Sequence, residues 1–280
     1  MVENRRFGNL IPHLVLCLGV GIVVFPVYLA LIGSTHDAAT IANGQMPLWP
    51  GSHGLETYRR ALTESGMAGA PVGLMLVNST IMALAIALGK ISISLLSAYA
   101  LIYFKFPFRQ TAFWAIFVTL MLPVEVRIYP TYKVAADLQL LDTYAGLALP
   151  LIASATATLL FRQFFLTVPN ELVEASRIDG AGPVRFFLDT LLPLSRTTMA
   201  ALFVIQFLYG WNQYLWPLLV TTRDDMQTVV IGLRKMTSIT DQLTEWQIVM
   251  ATAVLAMLPP VVVVFAMQKL FVRGLVETEK

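Results

Sequence analysis

Residues 10–32 read LIPHLVLCLGVGIVVFPVYLALI, 23 positions without one Lys, Arg, Asp or Glu. As a helix rising 1.5 Å per residue this run is about 35 Å long, enough to cross a hydrocarbon core of about 30 Å. Helix is the form such a run must take, because lipid offers no hydrogen-bond partner to an exposed N–H or C=O. Arg5 and Arg6 stand before it as in a secretory leader, but the run is long and no small-x-small cleavage site follows, so a retained span is expected.

Working outward, five further segments meet the same test: 74–104, 111–129, 143–165, 198–220 and 246–268. The expected fold is an all-α integral membrane protein, one domain over residues 1–280 with six transmembrane helices. Composition agrees, with 57% hydrophobic and 13% charged residues, outside the range of an ordinary soluble domain. Net charge is +2 and the 19 Lys and Arg are scattered, which argues against a nucleic-acid surface. Cys17 lies inside the first apolar run, where a small buried hydrophobe is the expected role; a lone thiol makes no internal disulfide.

Orientation follows from Lys and Arg. With the N-terminus cytoplasmic, that side holds Arg5, Arg6, Lys105, Arg109, Arg162, Arg177, Arg185, Arg196, Lys269, Arg273 and Lys280. The opposite side holds Arg59, Arg60, Arg127, Lys133, Arg223, Arg234 and Lys235 in a greater loop length. The bias lies close to helix ends, where it counts most, so both termini are expected in the cytoplasm.

Two extramembrane segments stand out. Residues 33–72 carry Pro47, Pro50, Gly51, Gly54 and the polar run Glu56 to Arg60, which suggests a small ordered cap, either a protein-contact surface or a passive connector. Residues 166–197 are too polar to cross and too long for a turn. Pro169 and Glu171 suit a first helical turn, and Leu172, Ala175 and Ser176 then share a face. Gly180 and Gly182 let the chain reverse. Pro183 opens a second helix with Phe186, Phe187 and Leu191 as apolar positions, and Pro193 is expected to end it.

In this loop Glu174, Ala175 and Ser176 precede Gly180 by a fixed spacing, and Thr190, Leu191, Leu192 and Pro193 follow at another. The pattern resembles the EAA loop of binding-protein-dependent ABC importer permeases, with Ser176 and Thr190 as the two departures. The resemblance implies a cytoplasmic coupling helix between spans four and five that docks on a separate ATPase, with Glu174, Ala175, Ser176, Asp179, Gly180, Leu192 and Pro193 at the contact. An amphipathic helix on the lipid surface is the rival reading, although such helices are usually richer in Lys and bulky apolar residues. The runs LMLPVEVRIYPT (120–131), LDTYAGL (141–147), SATATLLFRQFF (154–165) and YGWNQYLWPLL (209–219) extend the likeness along the chain. Within the family they are similar to permeases for sn-glycerol-3-phosphate; neutral sugars or oligosaccharides are the alternative cargo. The resemblance further implies a heterodimer with a second permease, two ATPase subunits that carry ATP and Mg, a periplasmic substrate-binding protein and a place in the bacterial inner membrane.

Other chemistry finds little footing. A P-loop needs G-x-x-x-x-G-K-[ST], and Gly89-Lys90 is followed by Ile91 inside a span. His13, His36 and His53 have no metal-ligand spacing, so neither a metal site nor a catalytic set nor a cofactor bound by this chain is expected. A secondary transporter would show inverted repeats, and none is evident.

Charged and polar residues in the spans are the candidates for a solute path. Lys90 falls near the middle of the second span, facing either a watery cavity or a neighbouring helix's carbonyls. Pro123 interrupts the third span, and Glu125 and Arg127 follow it, a phosphate fork or an interfacial anchor. In the fifth span Trp211, Asn212, Gln213 and Tyr214 offer solute contacts or helix-to-helix bonds.

Overall fold

The computed structural model describes residues 10–66, 68–119, 124–238 and 244–276, without the side chains of 10–11, 124–125 and 269–276. Arg5, Arg6, Pro123 and Lys280, and the side chains of Glu125, Lys269 and Arg273, on which several expectations rest, lie outside what is described.

The chain begins with α1 (Leu10–Gly33), α2 (Ala38–Ala42), α3 (Gly54–Thr63), α4 (Val72–Tyr103), α5 (Arg109–Val118) and α6 (Val124–Asp137). It continues through α7 (Tyr144–Ala148), α8 (Ala155–Thr167), α9 (Asn170–Ile178), α10 (Pro183–Phe186) and α11 (Leu192–Leu194). The last elements are α12 (Arg196–Trp211), α13 (Leu215–Val220), α14 (Val229–Ser238) and α15 (Trp246–Val276). All regular structure among the described residues is helical. Two compact units divide it, Met1–Leu74 with Gly232–Leu258 and Met75–Ile231 with Pro259–Lys280.

In the first unit, α1 keeps its apolar side chains from Leu14 to Leu31 exposed, and only 6% of its membrane-length window is buried. Such a surface is stable in lipid and not in water. Cys17 is exposed with it, contrary to the expected burial, because little of the chain packs on this helix. The segment after α1 is ordered by polar contacts. Asp37 caps α2 through the Thr40 amide at 3.2 Å, His36 meets the Trp49 carbonyl at 2.9 Å, and the Arg60 guanidinium on α3 bonds Glu245 at 3.3 Å.

The second unit is built around α4, 44% of whose best window is buried. Phe161 and Phe165 of α8, Leu191 and Leu202 pack on its Ile91, Leu95 and Tyr99. Met82 and Ile86 join Leu147, Trp216 and Val220 in a second cluster. The α12 helix approaches so closely that a Cβ on Gly210 would lie 2.9 Å from the Ala83 Cα. Small residues at a helix crossing give this proximity in membranes.

Among the described residues, three helices are long and apolar enough to cross a bilayer, or up to five if each of two bent pairs counts as one span. The expected third span corresponds to α5 and α6, whose junction at 120–123 is outside the described residues. The expected fourth span is broken. Thr143 caps α7, a 3-10 turn holds Pro150, Ser154 caps α8, and the two halves meet at 51°. The expected fifth span stops at Trp211 and resumes at Leu215. Pro217 explains this, since it has no N–H for the Gln213 carbonyl and its ring would strike that group in a continuous helix.

Asp142 ties these breaks together. Its carboxylate accepts from the Thr222 amide and hydroxyl, both at 2.6 Å, and from the Arg223 amide at 3.0 Å. Burial pushes this carboxyl up, but the hydrogen bonds from Thr222 and Arg223 outweigh it and leave the pKa below the usual carboxylate value. A depressed value stabilises the fold above the ordinary carboxylate range, and the contribution fades as pH falls through the folded value. Thermal unfolding in detergent from neutral pH down to acid should therefore show Asp142→Asn losing stability chiefly at neutral pH. Gly210→Leu should cost about 1–3 kcal/mol by forcing α12 from α4, read as a lowered midpoint in the same assay.

Candidate functional site

The loop after α8 is a helix, a reversal and a second helix. Pro169 precedes α9, Glu171 occupies its first turn and Arg177 its last, each placed to suit the helix dipole. The helix closes with the Ala181 amide on the Ser176 carbonyl at 2.9 Å and the Gly180 amide on Arg177 at 3.0 Å. That paired closure needs a left-handed residue after the cap, and Gly180 supplies it with φ +72°. A Cβ added at Gly180 would meet nothing within 4 Å, so conformation rather than space is what a side chain there would offend.

Beyond Gly182, α10 starts at Pro183 and passes into a π turn over Phe187–Leu191. Pro193 does not end this helix, as its sequence position suggested; α11 carries the chain to Leu194. The wider π turn accommodates the missing proline N–H. Reversal comes at Ser195, whose hydroxyl donates to the Leu191 carbonyl at 2.6 Å, and α12 leaves at 70°.

Burial divides the loop into two faces. Phe186 and Leu191 are buried, while Val173 and Leu192 are half-buried against the same cluster. On α9 it is therefore Val173 rather than Leu172 or Ala175 that meets the bundle, with Ser176 half-buried; Leu172 and Ala175 are exposed. Glu174, Asp179, Gly180 and Pro193 are also exposed, and Glu174 has no side-chain partner among the described residues. Sequence reading missed the most prominent apolar groups of the outer face, Ile178 at 85% and Val184 at 71% exposure. Their signal was positional, two apolar residues flanking the glycine reversal.

Within the second unit lies a cavity of about 790 Å³, lined from α4, α5, α6, α8 and α12 with the α7–α8 and α12–α13 breaks. Lys90, Arg127 and Gln213, three of the seven candidates, share its wall. Lys90 is 6% exposed, and its Nζ lies over the Tyr209 ring, 3.5 Å from the centroid. Neither its ammonium nor the Arg127 guanidinium has a hydrogen bond or ion pair among the described residues, so Lys90 takes the cavity-facing alternative. Hydroxyls of Ser97, Thr119, Thr131 and Ser154 complete the polar lining, and no carboxylate is among the described residues of the wall. Two cations suit an anion and repel other cations, although the Thr119 and Thr131 hydroxyls already donate to the Ile116 and Arg127 carbonyls.

Of the other candidates, the Glu125 side chain is outside the described residues, and Trp211, Asn212 and Tyr214 lie off the wall. Trp211 is buried and stacks on Phe207 at 5.8 Å. Asn212 is exposed and donates to the Leu208 carbonyl at 2.9 Å, while Gln213 donates to Tyr209 at 3.2 Å, so both satisfy the end of their own helix. Tyr214 is exposed and outside the wall. Sequence reading missed Tyr209, Ser97 and the threonines. Lys90, Ile93 and Ser97 share one helix face by their spacing, and Tyr209 and Gln213 another, so the signal was present once Lys90 was taken as the reference point.

A lipid-exposed helical frame, an inward cation-lined cavity and an exposed loop at the end of a bent helix define a transport permease. Residues 90–277 match the family of binding-protein-dependent transport system inner membrane components. The chain belongs to that family; it is an inner-membrane transport component and not an enzyme. It is 59% identical to the sn-glycerol-3-phosphate transport system permease protein UgpE of Rhizobium meliloti (strain 1021), and 54% identical to the protein of that name from Escherichia coli (strain K12). Both matches span 100% of each chain. A solved chain from a bacterial ABC transporter involved in import of the acidic polysaccharide alginate shares the fold at TM-score 0.82 and 19% identity, covering 96% of this chain and 99% of that one.

Replacing Gly180 with Ala should cost about 1–2 kcal/mol in the left-handed position. Amide hydrogen exchange on the purified protein should accordingly quicken at Gly180 and Ala181 and stay unchanged along α4.

Proposed function

We propose that this chain is the pore-forming permease of an ATP-driven importer of sn-glycerol-3-phosphate. The cavity wall of Lys90 and Arg127, without a described carboxylate, is the observation that carries the reading. A phosphate monoester bears between one and two negative charges at neutral pH, about −1.5 to −2. Its oxygens suit the bidentate fork of Arg127 and the point charge of Lys90. The Tyr209 face holds the ammonium by an attraction of about 0.5–2 kcal/mol, a partner that a phosphate oxygen outcompetes. The Ser97 hydroxyl remains for the glycerol end, Thr119 and Thr131, which donate to the Ile116 and Arg127 carbonyls, can still accept from it, and Gln213 reaches the same space. The substrate named for the full-length relatives supports this assignment.

In this reading the chain acts as one transmembrane domain over residues 1–280, with six spans and both termini cytoplasmic. It pairs with a second permease, receives solute from a periplasmic binding protein and docks on two ATPases. ATP and Mg belong to those ATPases. Glu174, Ala175, Ser176, Asp179 and Gly180, with Leu192 and Pro193, form the docking loop, whose exposed face supports that role. Nucleotide binding and hydrolysis then change which side of the cavity is open.

Cells lacking only this chain, before and after its restoration from a plasmid, should regain uptake of labelled sn-glycerol-3-phosphate and not of a neutral disaccharide. Restored disaccharide uptake alone would keep the permease and discard the phosphate. Lys90→Met should lower glycerol phosphate uptake at least about tenfold, the worth of one charged hydrogen bond, with Lys90→Arg retaining more. Glu174→Arg should abolish uptake while leaving the protein at its normal level in the membrane.

A further inference from the structure

The α4 helix carries Lys90 at the cavity and, nine residues later, Tyr99 at the docking loop, about 14 Å along the axis. Tyr99 is 8% exposed, and its hydroxyl donates to the Pro183 carbonyl at 2.8 Å, at the first residue of α10. Its ring lies 5.0 Å from Phe187, and that of Tyr103 lies edge-on 5.4 Å from Phe186. The end of α4 thus grips consecutive side chains of the second loop helix.

The same helix is fastened to α8 at two levels. Ser94 donates to the Ser154 carbonyl at 3.1 Å beside the cavity, and Tyr103 meets Phe165 edge-on at 5.9 Å near the loop. Both helices contribute to the cavity wall, Lys90 and Ser97 from one, Thr156 and Thr158 from the other. Pinned near both ends of α8, that helix and the last third of α4 form a stiff pair. The direct covalent route from loop to bundle is less stiff, because it passes through a π turn and a 70° bend.

We infer that Tyr99 is a positioning residue that links α10 to the α4–α8 pair, so that displacement of the docking loop moves Lys90 and the cavity wall as one body. The inference rests on the proposed function and adds the route by which docking reaches the solute. Tyr99 touches neither solute nor ATPase in this scheme. Its hydroxyl makes the connection directional and its ring makes it tight.

The test uses the complete importer, with both permeases, both ATPases and the receptor, in proteoliposomes, and measures uptake of labelled sn-glycerol-3-phosphate and ATP hydrolysis on the same sample. Tyr99→Phe keeps the ring and removes the hydrogen bond. Solute imported per ATP hydrolysed should fall about fivefold, while receptor-stimulated hydrolysis and the thermal midpoint persist. Tyr103→Phe removes only a long contact, 3.4 Å to the Phe165 carbonyl, and should leave the ratio unchanged. An unchanged ratio in Tyr99→Phe overturns the inference. So does an equal fall in Tyr103→Phe, or a parallel loss of uptake, hydrolysis and thermal midpoint, which marks a merely structural hydroxyl. Absence of receptor-dependent uptake by the unaltered importer overturns the proposed function itself, and the inference with it.

Discussion

A hydrocarbon medium gives no partner to an unpaired backbone N–H or C=O, and the second unit is organised around that restriction. A straight span meets it automatically, as α4 does. A broken one leaves groups to be satisfied locally, and nearly every polar side chain near a break is so engaged. Thr143 and Ser154 cap α7 and α8 through the Gly146 and Ala157 amides, while Asn212 and Gln213 cover the last carbonyls of α12. Asn78 donates to the Asp225 and Gln227 carbonyls and accepts from Tyr144 at 2.7 Å. Because breaks are satisfied from within, the wall around them is free to be hollow.

The hollow inherits its character from cations that no described carboxylate neutralises. An ion pair between Lys90 and a neighbouring carboxylate would stabilise an empty bundle and leave little attraction for a passing anion. A ring is a weaker companion. Tyr209 lowers the cost of keeping the ammonium in a mostly apolar setting without cancelling its field, a compromise suited to binding that must also be reversed.

Periodicity and length made much of this legible. The runs at 10–32, 74–104 and 246–268 fall on α1, α4 and α15 within a few residues, because an uninterrupted apolar run leaves the backbone one solution. Residues 143–165 and 198–220 are less apolar but still long enough to suggest spans, and average hydropathy is blind to Pro150 and Pro217, which decide where the helices stop. The loop over residues 166–197 was readable because Gly180, Gly182 and Pro183 each have a distinct backbone consequence. The cavity was half-readable. Charge marked Lys90 and Arg127, whereas Tyr209 and the hydroxyls acquire meaning only from the tertiary arrangement, and the amide at 212 looked like a solute contact until its own helix claimed it.

The π turn at Phe187–Leu191 bears on a different question, how the interval between Gly180 and Pro193 could change in length. A π turn holds one residue more than the α turn it replaces, and each of its residues advances the chain by less than the roughly 100° of an α-helix. Deleting a single position between Phe187 and Leu191 would let the segment close as an α turn with nearly the same total rotation. The side of the loop that carries Ile178 and Val184 would keep its azimuth, so the π turn is a place where the loop can lose one residue without turning its exposed face.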